Sequence, residues 1–490
     1  MTPGGYSKSL LECFSTSSGR GSLFWYVLPA RYSMLSVSEV SQMVVRAPTD
    51  KELERVKTYG ARVRDLDLSG AAKQAQEMVL DLWASWFGDH PLFPQLRKLR
   101  GLIVADFALT IAELVPEGCL KNLAMRREPS QRGHHFSTLL SDIDAVGSEG
   151  EVTEELISSY KGLDSFSASY VNTAQILGRK SPLWGFAHLA TLRLHNDRPL
   201  AIDRAMLSAM AKLKQLRTLS ITGFEVNKIS RAGTFPALHR LELASTAPHA
   251  ASLVSAIRLA KLESIRLDVD VDSQKDHRHI QTIISSLPTS LVRAQIAIKE
   301  AGAHTIVVED VLSGLRPLPA LEHVWIRIAY NASTTKSKPL PDLTDEALSS
   351  FVQAWPNLNF FDVALLPRSG YVDPPEPYVR PALDTILAFA HGHTRLTHLG
   401  LPYMDETSVL AGGSDTDGSD TEGHEDNAAP HSALRWVSIG EKVPARRTTA
   451  DSRTARRLAN ALLRAFPKLQ WDIGQDAHSF HTAQIGRAHV

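Results

Sequence analysis

Apolar and polar positions along this chain return in one short phrase. An apolar residue is followed by two variable residues, a second apolar residue, one variable residue and a third apolar residue. Clear copies are Leu189-Ala-Thr-Leu192-Arg-Leu194, Leu216-Arg-Thr-Leu219-Ser-Ile221, Leu238-His-Arg-Leu241-Glu-Leu243 and Leu262-Glu-Ser-Ile265-Arg-Leu267. Looser copies start at Leu291, Leu321, Leu358, Leu396 and Leu434, and others at Val63, Leu99, Leu120 and Leu163. The period of two in the phrase marks a strand with one buried face. Such a strand cannot bury that face alone, so the copies must stack side by side.

Helical patterns lie between the copies. Asp203–Leu213 and Thr344–Trp355 space apolar residues at three and four and open on good N-cap residues. Pro248–Ala260 and Asp451–Phe466 read the same way. Phe93-Pro94, Phe235-Pro236, Trp355-Pro356 and Phe466-Pro467 each stand just before a strand leucine. The proline drives the residue before it out of helical geometry and ends the helix there. Strand, helix, corner, strand implies parallel strands with right-handed crossovers. The expected fold class is α/β: a leucine-rich-repeat-like solenoid with a parallel sheet on the concave face and helices on the convex face. Copies are 22 to 30 residues apart between Leu189 and Leu321, and 37 or 38 apart from Leu321 to Leu434. The early spacing fits leucine-rich repeats of about 20–29 residues. The ninth phrase position holds Asp197, Phe224, Thr246 and Asp270, so the asparagine ladder of regular members is missing.

The organisation expected is an N-terminal segment, 1–55, that caps the repeats or is partly disordered; an irregular solenoid, 56–475; and a tail, 476–490. Residues 485–490, Ile-Gly-Arg-Ala-His-Val, read as the translation of a sequencing-adapter oligonucleotide and are left out of fold reasoning. Residues 331–341 read as a loop, and the five-proline stretch 367–381 as extended chain. Residues 411–431 hold six acids and four glycines with almost nothing apolar, so composition predicts a disordered acidic insert between two repeats.

Charge narrows little: Lys+Arg and Asp+Glu both total 53, which favours no polyionic partner. Two cysteines in 490 residues argue for a reducing compartment, cytoplasmic or nuclear. The apolar run 23–28 is too short to span a bilayer.

Alternation carries the variable phrase positions to the face opposite the leucines. That face reads Thr191, Arg193, His195; Thr218, Ser220, Thr222; Arg240, Glu242; Ser264, Arg266, Asp268; Arg293, Gln295; His323, Trp325, Arg327; Phe360, Asp362; His398; and Trp436, Ser438. Tryptophan and arginine dominate binding hot spots. The selected protein-binding residues are therefore Arg193, Arg240, Glu242, Arg266, Trp325, Arg327, Phe360, Asp362 and Trp436. Asp268, Asp270 and Asp272 lack the glycine turn and distal glutamate of a calcium loop. His277/His279 and His391/His393 lack zinc-spaced partners, and read as surface or cap histidines. No metal, cofactor or catalytic residue is expected. Arg446, Arg447, Arg453, Arg456 and Arg457 read as a solvated helix face, so a nucleic-acid partner is not expected. Ser414 and Ser419 each precede an acid by three residues, the pattern acid-directed kinases favour. Phosphorylation there would add roughly two charges per site.

Several phrases resemble a fungal group of F-box/leucine-rich-repeat-like proteins: Tyr59–Leu66, Pro91–Leu99, Thr234–Leu243 and Trp355-Pro-Asn-Leu358, with the acidic insert. The resemblance covers roughly 55–475. It implies a protein-recognition module without catalysis, a substrate receptor of an SCF-type ubiquitin ligase that docks the cullin-ligase adaptor through an F-box. Leu28-Pro29-Ala30-Arg31 supplies only the first two residues of an F-box opening. The rival expectation is a repeat scaffold, or a regulator that packs on a GTPase, with no ubiquitin link.

Overall fold

A computed structural model describes residues 49–67, 83–87, 91–103, 114–116, 119–126, 162–169, 182–226, 229, 233–273, 275–300, 308–330, 343–367, 380–402, 433–439 and five positions between 462 and 469. The chain divides into two compact units, Met1–Leu189 and Ala190–Val490.

The first unit opens with helix α1 (Asp50–Gly60), which crosses the expected 55/56 boundary. Strands β1 (Asp65–Asp67), β2 (Lys98–Ile103), β3 (Asn122–Arg126) and β4 (Ser165–Ser169) follow and pair parallel in chain order. One copy of the phrase sits three residues earlier than expected. Leu99 pairs with Leu66 and Leu123, so the leading residue of that copy is Leu96. The Phe93-Pro94 corner sets this phase, because Leu96 N–H donates to the Phe93 carbonyl at 3.1 Å. A register shift between Leu99 and Leu102 blurs the alternation beyond it.

The second unit carries nine parallel strands with helices between them. They are β5 (Thr191–Ile202), β6 (Thr218–Val226), β8 (Arg240–Thr246), β10 (Ser264–Val271), β11 (Arg293–Glu300), β12 (His323–Tyr330), β13 (Phe360–Pro367), β14 (His398–Leu401) and β15 (Trp436–Ile439). Two short strands, β7 (Gly233–Thr234) and β9 (Ile257–Arg258), pair separately. The helices are α2 (Arg204–Met210), α3 (Ala247–Ala256), α4 (Lys275–Ser285), α5 (Val308–Leu315), α6 (Asp345–Ala354) and α7 (Leu383–Gly392). The pattern from Pro248 to Ala260 is thus split, because the chain leaves the helix at Ile257 to pair with β7. The expected α/β leucine-rich-repeat-like architecture is present: every main strand is parallel, and a described helix separates β5 from β6 and each successive pair of main strands from β8 to β14.

Local chemistry explains the periodicity. The Asp203 side chain accepts from Met206 N–H at 2.7 Å, and Thr344 Oγ1 from Ala347 N–H at 3.1 Å; each satisfies a donor the helix cannot. The leading leucine of each repeat turns its N–H onto the carbonyl three residues back, as Leu216 does to Leu213 and Leu358 to Trp355. Two consecutive N–H groups then converge on one carbonyl of the preceding repeat. Arg217 and Thr218 meet on Ala190, His239 and Arg240 on Arg217, and Asn359 and Phe360 on Glu322. This pair of bonds sets the register of one copy on the next.

Core packing follows. Leu192, Leu219, Leu241, Ile265, Ala294, Val324, Phe361 and Leu399 form one buried column under the sheet. The corner aromatics Phe93, Phe235, Trp355 and Phe466 are all buried, as the corner mechanism requires. Trp355 also stacks on Phe351 (4.7 Å between centroids, 9°), and its indole N–H donates to the Leu315 carbonyl at 3.2 Å. That bond satisfies a carbonyl at the end of α5 from the next repeat. Helices approach closely where a glycine faces a branched side chain: a Cβ on Gly314 would lie 2.9 Å from Ile284 Cγ2, and one on Gly392 would collide with Val352 Cγ1.

Two outcomes test this packing in chemical denaturation. Trp355→Ala lowers unfolding free energy by about 3–5 kcal/mol, because a buried ring and a satisfied carbonyl are lost together. Gly392→Ala costs roughly 1–3 kcal/mol from overpacking. Combining it with Val352→Ala recovers part of that loss, which a double-mutant cycle reads as coupling.

Candidate functional site

Strand register converts the sequence pattern into two adjoining rows on the open face of the second unit. The first row runs Thr191, Thr218, Arg240, Ser264, Arg293, His323, Phe360, His398, Trp436. The second runs Arg193, Ser220, Glu242, Arg266, Gln295, Trp325, Asp362, Gly400, Ser438. Leucine columns on either side of these positions are buried, so the rows point away from the helices. Asp362 and Gly400 are buried, and the other row positions are half-buried or exposed.

Chemistry changes along the rows. From β5 to β10 they carry hydroxyls and charges. Arg240 donates to Glu242 at 2.6 Å, which links two of the selected residues to each other. From β12 to β15 the first row becomes aromatic. The His323 ring stacks on Phe360 at 4.1 Å and 11°, and Phe360 stacks on His398 at 4.2 Å and 9°. Strands in a sheet lie ~4.8 Å apart, so planar side chains in one row meet face to face with little adjustment. Trp436 extends the row onto β15 and is 37% exposed. Beside this ladder, Arg327 lies over the Trp325 ring at 4.4 Å from its centroid.

Two polar side chains here are withdrawn from water. Asp362 is only 8% exposed. Arg327 Nε is buried with no acceptor among the described residues. Asp362 has room because its neighbour in the register is Gly400, where a Cβ would collide with the carboxylate. An unsatisfied buried polar group costs about 1–3 kcal/mol. Arg327 Nε therefore marks a place where the fold leaves polar capacity unused.

The structure brings Trp325, Arg327, Phe360, Asp362 and Trp436 together on β12–β15. Arg193, Arg240, Glu242 and Arg266 share the face but stand on β5, β8 and β10. His323 and His398 were on the alternating face without being selected, yet they enclose Phe360. Aligning the phrases by their leading leucines would have shown it, since His323, Phe360, His398 and Trp436 then fall in one column. Asp268 binds Lys299 of the next strand at 2.7 Å. No group of three metal-ligating side chains occurs among the described residues. His393 is the C-cap of α7 and fully buried, with Nδ1–H donating to the Phe389 carbonyl at 2.8 Å. Ser414, Ser419, the arginines 446–457 and the Leu28-Pro29 segment lie outside the described residues.

Burial lowers the pKa of His323 below its ordinary 6.5; nearby Arg293 and His398 add to the effect and Asp362 opposes it. A histidine held neutral in the fold binds its proton more readily when unfolded, so its contribution to stability is present above pH 6.5 and lost as pH falls through the lower folded value. The thermal midpoint therefore rises between about pH 5 and 7, and His323→Phe reduces the slope of that rise in calorimetry.

No protein-family model matches this chain, and neither does any curated protein. Among solved structures, a leucine-rich-repeat-containing protein of Legionella pneumophila is 12% identical, covering 65% of this chain and 88% of its own, with a TM-score of 0.33. A leucine-rich-repeat protein of Leptospira interrogans is also 12% identical, covering 87% of this chain and 99% of its own, with a TM-score of 0.21. Likeness at that level says nothing of function; the fold rests on the strand register of this chain itself. Among the described residues no helix is long and apolar enough to cross a membrane.

Proposed function

We propose that this chain is a protein-recognition module that holds its partner on the open face of the second unit. One observation carries the reading: an accessible sheet face bearing a stacked aromatic row and a cation–π pair. Aromatic and arginine side chains presented together on a rigid surface are the composition of binding hot spots. The rigidity comes from the strands, so little side-chain entropy is lost on binding. The reading needs no catalytic residue and no cofactor.

The resemblance to F-box/leucine-rich-repeat-like proteins supports a finer proposal, that the bound protein is presented for ubiquitination and the chain is a substrate receptor. The alternative is a scaffold, or a GTPase-regulator-like protein, without that link. Affinity capture from cells separates them: recovery of the cullin-ligase adaptor supports the receptor, and capture of other partners without it supports the scaffold. For whichever partner is recovered, Trp325→Ala or Phe360→Ala weakens binding by about 2–4 kcal/mol in calorimetry, while Ser220→Ala on the polar part of the face changes it little. Unchanged affinity in both aromatic variants would overturn the assignment of the face.

A further inference from the structure

The charges on this face are unevenly compensated, and the imbalance bears on what it binds. Each acid of the two rows or flanking them that has a bonded partner is neutralised: Glu242 by Arg240, and Asp268 by Lys299. Arg193, Arg266 and Arg293 have no ion pair among the described residues. Arg293 on β11 stands in the first row directly beside His323, and Arg266 stands one strand further along, on β10 in the second row. Asp362 does not offset them for an incoming ligand, because it is nearly buried. The acids Glu263 and Glu322 precede the strands, in the turns, and lie outside both rows.

Resting on the recognition role proposed above, we infer that the face takes an extended acidic segment of a partner protein, running across the strands, with a planar side chain about three residues from an Asp or Glu. The acid meets Arg266 and Arg293, and the planar side chain lies on the Phe360–His398–Trp436 end of the row. Spacing sets the interval. Arg293 and Phe360 are two strands apart, about 10 Å, which an extended peptide covers in about three residues at ~3.3 Å each. Arginine suits the acid end because its planar fork binds a carboxylate through two donors.

The test uses the full chain and a displayed library of random peptides of about twelve residues, long enough at ~3.3 Å per residue to cross six strands. Peptides are selected on the native protein, then ranked against Phe360→Ala, Phe360→Leu and the double variant Arg266→Glu/Arg293→Glu, each first shown by thermal melting to be folded. The expected peptides carry an Asp or Glu about three residues from a Trp, Tyr or Phe. They lose at least about tenfold in affinity on Phe360→Ala and on the charge-reversed variant, and less on Phe360→Leu. Peptides that need Phe360 but carry no acid, and bind the charge-reversed variant equally well, overturn the acidic-segment inference and leave recognition by this face standing. Peptides indifferent to Phe360, or no enrichment over an unrelated protein, overturn both.

Discussion

The convergence of two neighbouring N–H groups on one carbonyl of the previous repeat is the constraint on which the rest of the second unit depends. It recurs from Arg217/Thr218 on Ala190 through Arg435/Trp436 on Thr397. A backbone that turns sharply into a buried strand leaves donors that water cannot reach, and each unsatisfied donor is costly. Placing two of them on the preceding copy removes that cost and sets the register in one step. Every column under or above the sheet follows from this register. The same arrangement holds within the first unit, where Arg97 and Lys98 meet on Arg64.

Register then has opposite consequences on the two sides. On the helix side it aligns leucine, isoleucine and valine into continuous columns. Helices close over these, approaching tightly where Gly314 and Gly392 face Ile284 and Val352. On the open side it brings side chains from successive repeats to strand spacing, near the separation at which aromatic rings stack. His323, Phe360 and His398 come from three repeats and form one stacked group without any of them being close in sequence. The burial that lowers the pKa of His323 is a consequence of the same crowding.

Much of this was legible in advance. The leucine columns, the parallel order, the N-caps Asp203 and Thr344 and the aromatic-proline corners rest on local rules about alternation, capping and proline geometry. Where local rules competed, the corner was the better guide: Phe93-Pro94 points to Leu96, whereas counting leucines forward pointed to Leu99. The helix read from Pro248 to Ala260 ended early, because pairing of Ile257 with Gly233 outweighed helical periodicity. The chain also departs from simple alternation at Gly223. It takes φ +66° there, and a side chain would collide with the Asn196 carbonyl, beside the register shift between β5 and β6.

The candidate face was legible only as a set of residues. Their arrangement needed the repeats laid against one another. The spacing of leucines along the chain determined that copies of a strand unit must stack and which side chains they leave outward, because burial of apolar surface is decided within each copy. Tertiary structure alone decided that Gly400 makes room for Asp362, and that the Trp355 indole reaches a carbonyl of the preceding repeat. Those are meetings between residues of different repeats. Their partners depend on register and side-chain direction, which exist only once the copies are in place.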